Sequence, residues 1–276
     1  MSVGKLIRYG LPFTNVAASN TATATITPGR TLETLRLKLG GTFTKAQITL
    51  LRLKVNAKTV IEVSGDQLDK INAYRGKVAS PNFLDLDLAD FSLNNEFDRH
   101  VGSWDTGQGI ANITAEVVLA AGPVSPTLIP ILIESANQKS ATGEYAPYAG
   151  MMTKILRYPF NISAGGKLSI PFPMGPVSGS IIKRSHFFHG GQMLGITIKQ
   201  DGIAVHESVT AENQYNAIAL GRVPQTNVYT VDFVADGAVN KSLYTRDARS
   251  LEWIPEFAAA DSGTVVVEYI DPLGNL

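Results

Sequence analysis

Cysteine is absent from this chain of 276 residues, which excludes disulfide staples, thiolate metal centres and cysteine nucleophiles together. A reducing compartment during folding is compatible with that lack. Charge is scarce as well: charged residues are 17% of the sequence, against roughly 25% in an average soluble domain. Twenty-four cations balance 24 anions, so the chain has no cationic field for phosphate neutralisation, and direct nucleic-acid binding is not expected. Because the hydrophobic share is an ordinary 44%, sparse charge points to a surface partly covered by partners. No apolar run approaches the roughly 18 residues of a membrane-spanning helix. Met1 to Tyr9 also lacks the apolar core and cleavage site of a signal peptide. The mature chain is therefore expected to begin at its amino terminus, inside the cell that makes it.

What the chain does have is self-similarity. Lys5-Leu6-Ile7-Arg8-Tyr9 returns as Lys154-Ile155-Leu156-Arg157-Tyr158, and the only two tryptophans, Trp104 and Trp253, lie at the same spacing of 149 residues. A repeat at fixed spacing bears on architecture before any local reading does. At this length two units of roughly 100–150 residues are each large enough for a core.

The first copy reads as strands. Thr21 to Thr27 alternates strictly, with Ala22, Ala24 and Ile26 on one face. Pro28-Gly29 breaks it, and Leu35, Leu37 and Leu39 alternate in the next strand. In Gln47 to Val55 the apolar phase slips at Leu50-Leu51, as at a β-bulge. Asn56-Ala57 turns the chain into Lys58 to Val63. Ser64-Gly65-Asp66-Gln67 then fits a capping box, with Leu68 and Ile71 at helical spacing behind it. Leu84, Leu86 and Leu88 mark a further strand, Gly102 to Gly109 is loop-like around Trp104, and Asn112 to Ala120 closes the copy. Pro123, Pro126 and Pro130 argue against a central strand in Gly122 to Ile133. The expected division is a first unit over 1–122, a connector over 123–153 and a second unit over 154–276.

The second copy repeats the order. Lys167 to Phe172, with Pro171 at its end, stands for the first strand, and Met174-Gly175 stands for Pro28-Gly29. Met193 to Lys199 and Ile203 to Val209 flank an Asp201-Gly202 hairpin turn. Thr210 stands for the cap Ser64, with Tyr215 and Ile218 as the apolar side of a helix. Asn227 to Val234 matches Asn82 to Ala89, with Asp232 on Asp87, and Thr264 to Ile270 matches Thr114 to Ala120. Strand number, one-faced alternation and repeat size together give an all-β fold class: two tandem eight-stranded jelly-roll barrels, each with one short helix. The Cys…Trp…Cys signature of an immunoglobulin sandwich is missing.

Reactive constellations are few. Asp85, Asp87 and Asp90 are the densest acidic group, with the oxygen ligands calcium takes, although a strand with an acidic solvent face is the simpler account. His186 and His189 fall on opposite faces of a strand, and neither they nor His100 and His206 have the further ligands of a zinc or iron site. Gly175-Pro176-Val177-Ser178-Gly179 is not a nucleophile elbow. Asn112, Asn161 and Asn240 begin formal sequons that mean little without a secretion signal. Exposed tryptophans would stack on sugars, whereas equivalent positions in a duplication suit a shared core role. Lys5, Arg8, Lys154 and Arg157 either face an anionic surface or are solvated strand-end charges. The residues therefore nominate no catalytic, cofactor or metal site, and no enzyme.

The order Asn15-Val16-Ala17-Ala18-Ser19-Asn20, then Asn227-Val228-Tyr229-Thr230-Val231-Asp232-Phe233, then Val265-Val266-Val267-Glu268-Tyr269-Ile270 resembles the double jelly-roll major capsid proteins of tailless, membrane-containing icosahedral bacteriophages of the corticovirus type. The resemblance runs in outline over nearly the whole chain. It implies a structural subunit that trimerises, so that six similar barrels form a pseudo-hexagonal capsomer over an internal lipid membrane. Implied partners are two further copies, neighbouring capsomers and vertex or minor capsid proteins. The implied location is the virion, after synthesis in the host cytoplasm. A two-jelly-roll carbohydrate-binding protein or glycan-processing enzyme shares the architecture and is the alternative.

Overall fold

Alternating apolar residues become strands wherever one face can be buried, and the computed structural model, which describes residues 4–107, 109–137, 150–170 and 180–275, bears this out. The first half forms β1 (Leu6–Tyr9), β2 (Thr21–Ile26), β3 (Thr31–Gly40), β4 (Ile48–Val55), β5 (Lys58–Val63) and helix α1 (Gly65–Tyr74). It continues with β6 (Phe83–Asp87), helix α2 (Glu96–His100), β7 (Trp104–Asp105), β8 (Ile113–Leu119) and β9 (Thr127–Ser135). The second half forms β10 (Met151–Ile162), β11 (Gly166–Lys167), β12 (Ile181–Phe188), β13 (Met193–Gln200), β14 (Ile203–Val209) and helix α3 (Thr210–Ala219). After these come β15 (Val228–Asp232), β16 (Leu243–Tyr244), β17 (Leu251–Phe257) and β18 (Asp261–Pro272).

Sheet order shows two jelly rolls. The first barrel packs the sheet β1-β9-β3-β6, with β7 on β3, against β2-β8-β4-β5. The second packs β10-β18-β12-β15, with β16 on β12, against β11-β17-β13-β14. One parallel bridge, Ile61 to Ile155, joins edge strand β5 to edge strand β10, so the inner sheets of the two barrels run on as one sheet of nine strands. Each barrel has its own apolar core, and Met152, Ile155 and Val266 of the second barrel belong to the core of the first.

Local chemistry explains the turns. Asn56 and Ala57 both take left-handed φ, +48° and +68°, as do Asp201 and Gly202 at +52° and +80°. That pair of angles makes the tight hairpin whose twist matches its strands. The phase slip of β4 is a bulge against β8 between Ile48 and Leu50. Ser64 caps α1 by accepting from the Gln67 backbone, with Gln67 reaching back to complete the box.

The duplication extends to irregularities. The β3–β9 ladder shifts between Leu32 and Thr34, and the β12–β18 ladder shifts between Ile182 and Arg184. The β4–β5 hairpin shifts between Leu53 and Lys54, and the β13–β14 hairpin between Ile198 and Lys199. Asp87 and Asp232 are equivalent, each closing its strand opposite the residue that follows a bulge, Thr34 and Arg184.

Several expectations need correction. Thr127–Ser135 is not connector: β9 lies between β1 and β3 in the middle of a sheet. Pro130 is tolerated because a residue in an antiparallel ladder points its N–H and C=O at the same neighbour. Its carbonyl accepts from Gly10, just past the end of β1, so the missing donor falls where that ladder stops. Consequently β18 (Asp261–Pro272) matches β9, and β17 (Leu251–Phe257) matches β8; Thr264 to Ile270 does not stand for Thr114 to Ala120. The tryptophans are not equivalent either. Trp104 lies opposite Leu32 on β7, a place taken by Leu243 on β16, whereas Trp253 lies opposite Ile198 on β17, a place taken by Ala115. The pentapeptides share their strand but are one residue out of register, since Ile7 faces Ile133 as Ile155 faces Glu268.

Thr210 is not a cap: Val209 holds that position, and the Thr210 hydroxyl donates to the Met193 carbonyl. The first barrel carries α2 in addition to the expected helix, and Trp104 sits on a short strand rather than in a loop. Among the described residues of the segment ending at Phe172, Gly166–Lys167 is strand, continued by an isolated bridge from Ile170 to Trp253. Pro171, Phe172, Met174-Gly175, Gly175 to Gly179 and residues 138–149 of the expected connector lie outside the described residues.

Candidate assembly site

The barrel junction is built by the carboxyl end of α1 and by the outward faces of β12, β15 and β18. Outward residues of a sheet normally meet water. Here Arg184 and His186 of β12 and Glu268 of β18 are fully buried because the first barrel lies over them. Arg184 reaches Asp90 at 2.6 Å, Asp232 at 3.0 Å and Glu268 at 3.3 Å, and donates to Ser92 Oγ at 3.1 Å. Arg75, one residue beyond α1, pairs with the same Glu268 oxygen as Arg184, and Lys183 reaches Asp90 at 3.3 Å. His186 bridges Glu268 Oε1 at 2.9 Å and the Thr230 hydroxyl at 3.0 Å, with Tyr74 edge-on to its ring.

Electrostatics follow from burial and pairing. Burial disfavours the Asp90 carboxylate, yet Arg184, Lys183 and Arg75 outweigh it and hold its pKa well below the ordinary value. Glu268 is likewise held well below, against burial, by Arg75, the His186 hydrogen bond and Arg184. Burial lowers the pKa of His186, which favours the neutral ring. These groups fix how the barrels sit; they do not surround a space where a substrate reacts.

Trp104 adds a second tie. Its indole N–H donates to the Thr153 carbonyl of β10 at 2.9 Å, and Thr153 donates from its hydroxyl to Leu88 at 2.8 Å. Gly102, at φ +97°, lies against Thr153 where a Cβ would collide with the hydroxyl. Trp253 instead packs on Phe187 inside the second barrel. Both indoles are buried, so neither offers a stacking face for a sugar.

The acidic trio is dispersed among the chain's own cations: Asp85 by Arg36 and Lys77, Asp87 by Lys77, and Asp90 by Arg184 and Lys183. Among the described residues no group of three or more metal-ligating side chains converges. Three cations of the pentapeptides are paired, Lys5 with Glu33, Arg8 with Glu134 and Lys154 with Asp271. His189 faces Asp261, and His206 lies on β14 near the Tyr229 hydroxyl.

The junction has two unpartnered counterparts. Strand β5 buries Val60, Ile61 and Val63, while its equivalent β14 exposes Ile203, Val205 and Val209. Behind β14, Tyr215 of α3 is 73% exposed and Ile218 62%. At the other end of the molecule, Ile7 is 64% and Tyr9 69% exposed on β1, beside Ile129 of β9. The sequence signal for these faces was present in Tyr215 and Ile218, which were expected to be the buried side of the helix. They point outward, and only Ala217 of α3 is buried.

Two tandem jelly rolls joined through their edge strands define the double jelly-roll class. The chain belongs to the viral coat protein P2 family: residues 8–136 match its N-terminal domain and residues 152–273 its C-terminal domain. It is accordingly a structural viral capsid protein rather than an enzyme. The major capsid protein P2 of bacteriophage PM2 superposes with a TM-score of 0.86 over 97% of each chain at 18% identity. The major capsid protein of Sulfolobus turreted icosahedral virus gives 0.72 over 98% of each chain at 16% identity. The capsid protein of virus PBCV-1 gives 0.58 over 96% of this chain and 94% of its own at 10%. No curated protein sequence matches.

Proposed function

We propose that this chain is the major subunit of an icosahedral shell and that three copies close into a pseudo-hexagonal capsomer. The observation that carries this reading is the pair of equivalent barrels joined through edge strands, with the edge strand β5 of one covered and the equivalent β14 of the other open. Three such chains offer six similar sides from one closed ring, and closed rotational symmetry is the usual end of such contacts. Neighbouring capsomers and vertex or minor capsid proteins are the further partners. The low charge fraction suits a subunit covered on several sides, and the balanced charge suits a shell lying over a lipid membrane rather than on the genome. In this reading the chain is made in the host cytoplasm, needs no resident cofactor and ends in the virion, with the connector confined to the residues after Ser135. Sedimentation velocity at micromolar concentration tests it: a species of three 29.6 kDa chains is expected, and a persistent monomer would count against it.

A further inference from the structure

The junction inside the chain predicts the junction between chains, because the equivalents of its edge strands and helix, β14, β1 and α3, expose apolar residues. We propose that β14 and α3 of one copy dock on the face of β1 and β9 of a second copy, with β14 continuing the neighbour's sheet beside β1. This rests on the trimer reading and names the surfaces that close it.

Register gives the contact at residue level. Ile61 lies opposite Leu53, just before the hairpin shift, and His206 lies opposite Ile198, just before the matching shift. Ile155 lies opposite Glu268, which faces the residue after the β12 bulge, and Ile7 lies opposite Ile133, which faces the residue after the β3 bulge. The Ile61–Ile155 bridge therefore maps onto His206 of one copy and Ile7 of the next.

The chemistry of the two faces changes together. Within the chain, α1 ends on Arg75, which meets Glu268. The helix ends match through their closing hydrogen bonds, Lys77 N–H to the Asn72 carbonyl and Arg222 N–H to the Ala217 carbonyl. That alignment places Leu220 where Arg75 stands, while Ile133 stands where Glu268 stands. A charged pair inside the chain is thus matched by apolar residues between chains, an exposed Leu220 set over Ile133, which its own barrel already largely buries. Around it lie Tyr215, Ile218 and Val223 on one side and Ile7, Tyr9 and Ile129 on the other, all exposed. Apolar patches of this kind on both sides need covering, and the second copy carries the complementary one.

The absence of native cysteine permits a direct test. In the double variant Ile7→Cys, His206→Cys, a short thiol-to-thiol cross-linker applied to the purified protein should yield covalent dimers and trimers on a denaturing gel, and either single variant should yield none. A protein that sediments as a trimer but does not cross-link overturns the contact and leaves the trimer standing. One that neither trimerises nor cross-links overturns both. A second variant, Tyr215→Asp with Ile218→Asp, alters side chains that contribute little to the monomer core. Circular dichroism should be unchanged while the dissociation constant of the trimer rises at least about 30-fold, the loss expected at an interface hot spot. An unchanged constant would contradict the proposal.

Discussion

Glu268 is the residue on which most of the junction converges, since Arg75, Arg184 and His186 all meet its fully buried carboxylate. Replacing a buried ion pair wholly by apolar groups can be neutral, whereas removing one partner strands the others. Glu268→Gln should therefore lower unfolding free energy by about 3–5 kcal/mol, read by urea denaturation, and a loss below about 1 kcal/mol would show that the cations find other partners. The same groups set the pH response. His186, with its pKa lowered from 6.5, stays neutral when folded, so the unfolded chain binds more protons once pH falls below that value. Glu268 and Asp90, held well below 4.5 and 3.8, add to this in the same direction at lower pH. Stability should decline gently from about pH 6.5 and steeply below about pH 4.5, and a flat profile of melting temperature over pH 4–7 would contradict the assignment. None of this was legible from the sequence. Arg184 and Glu268 are charges within largely apolar strand segments, and only tertiary contact, the first barrel lying over them, explains their burial.

At the scale of elements, local signals were read correctly where they are self-contained and misread where the decisive partner is distant. The Ser64 capping box is local, and the structure contains it. Ser64→Ala should cost about 1 kcal/mol, while Thr210→Ala, at a residue that caps nothing, should leave helix α3 intact; equal losses in thermal unfolding would count against this. Strand β9 is hidden in the sequence because a proline excludes a central strand only where its position must donate. The ladder beside Pro130 ends one residue past β1, a fact fixed by chain geometry and invisible in the segment itself. The tryptophan coincidence has a related explanation: equal spacing in sequence is not equal place in a fold, and the two residues lie on non-equivalent strands, β7 and β17. The bulges and the Asp87–Asp232 pair, which follow strand register, are the reliable marks of duplication.

For the whole molecule, the sequence made two jelly rolls and a coat-protein resemblance legible, because strand periodicity and repeat order are properties of the chain. The direction in which one barrel covers the other was not legible, and the assembly rests on it. An edge strand left open on one barrel and an apolar outward face left open on the other make the monomer an incomplete object. The account's central claim is that copies of this chain complete one another in a shell. Electron cryomicroscopy of particles from cells producing the protein tests it most directly. The account predicts a lattice of pseudo-hexagonal tiles, each three chains and six barrels; particles whose lattice lacks this chain, or carries it as isolated monomers, would contradict it.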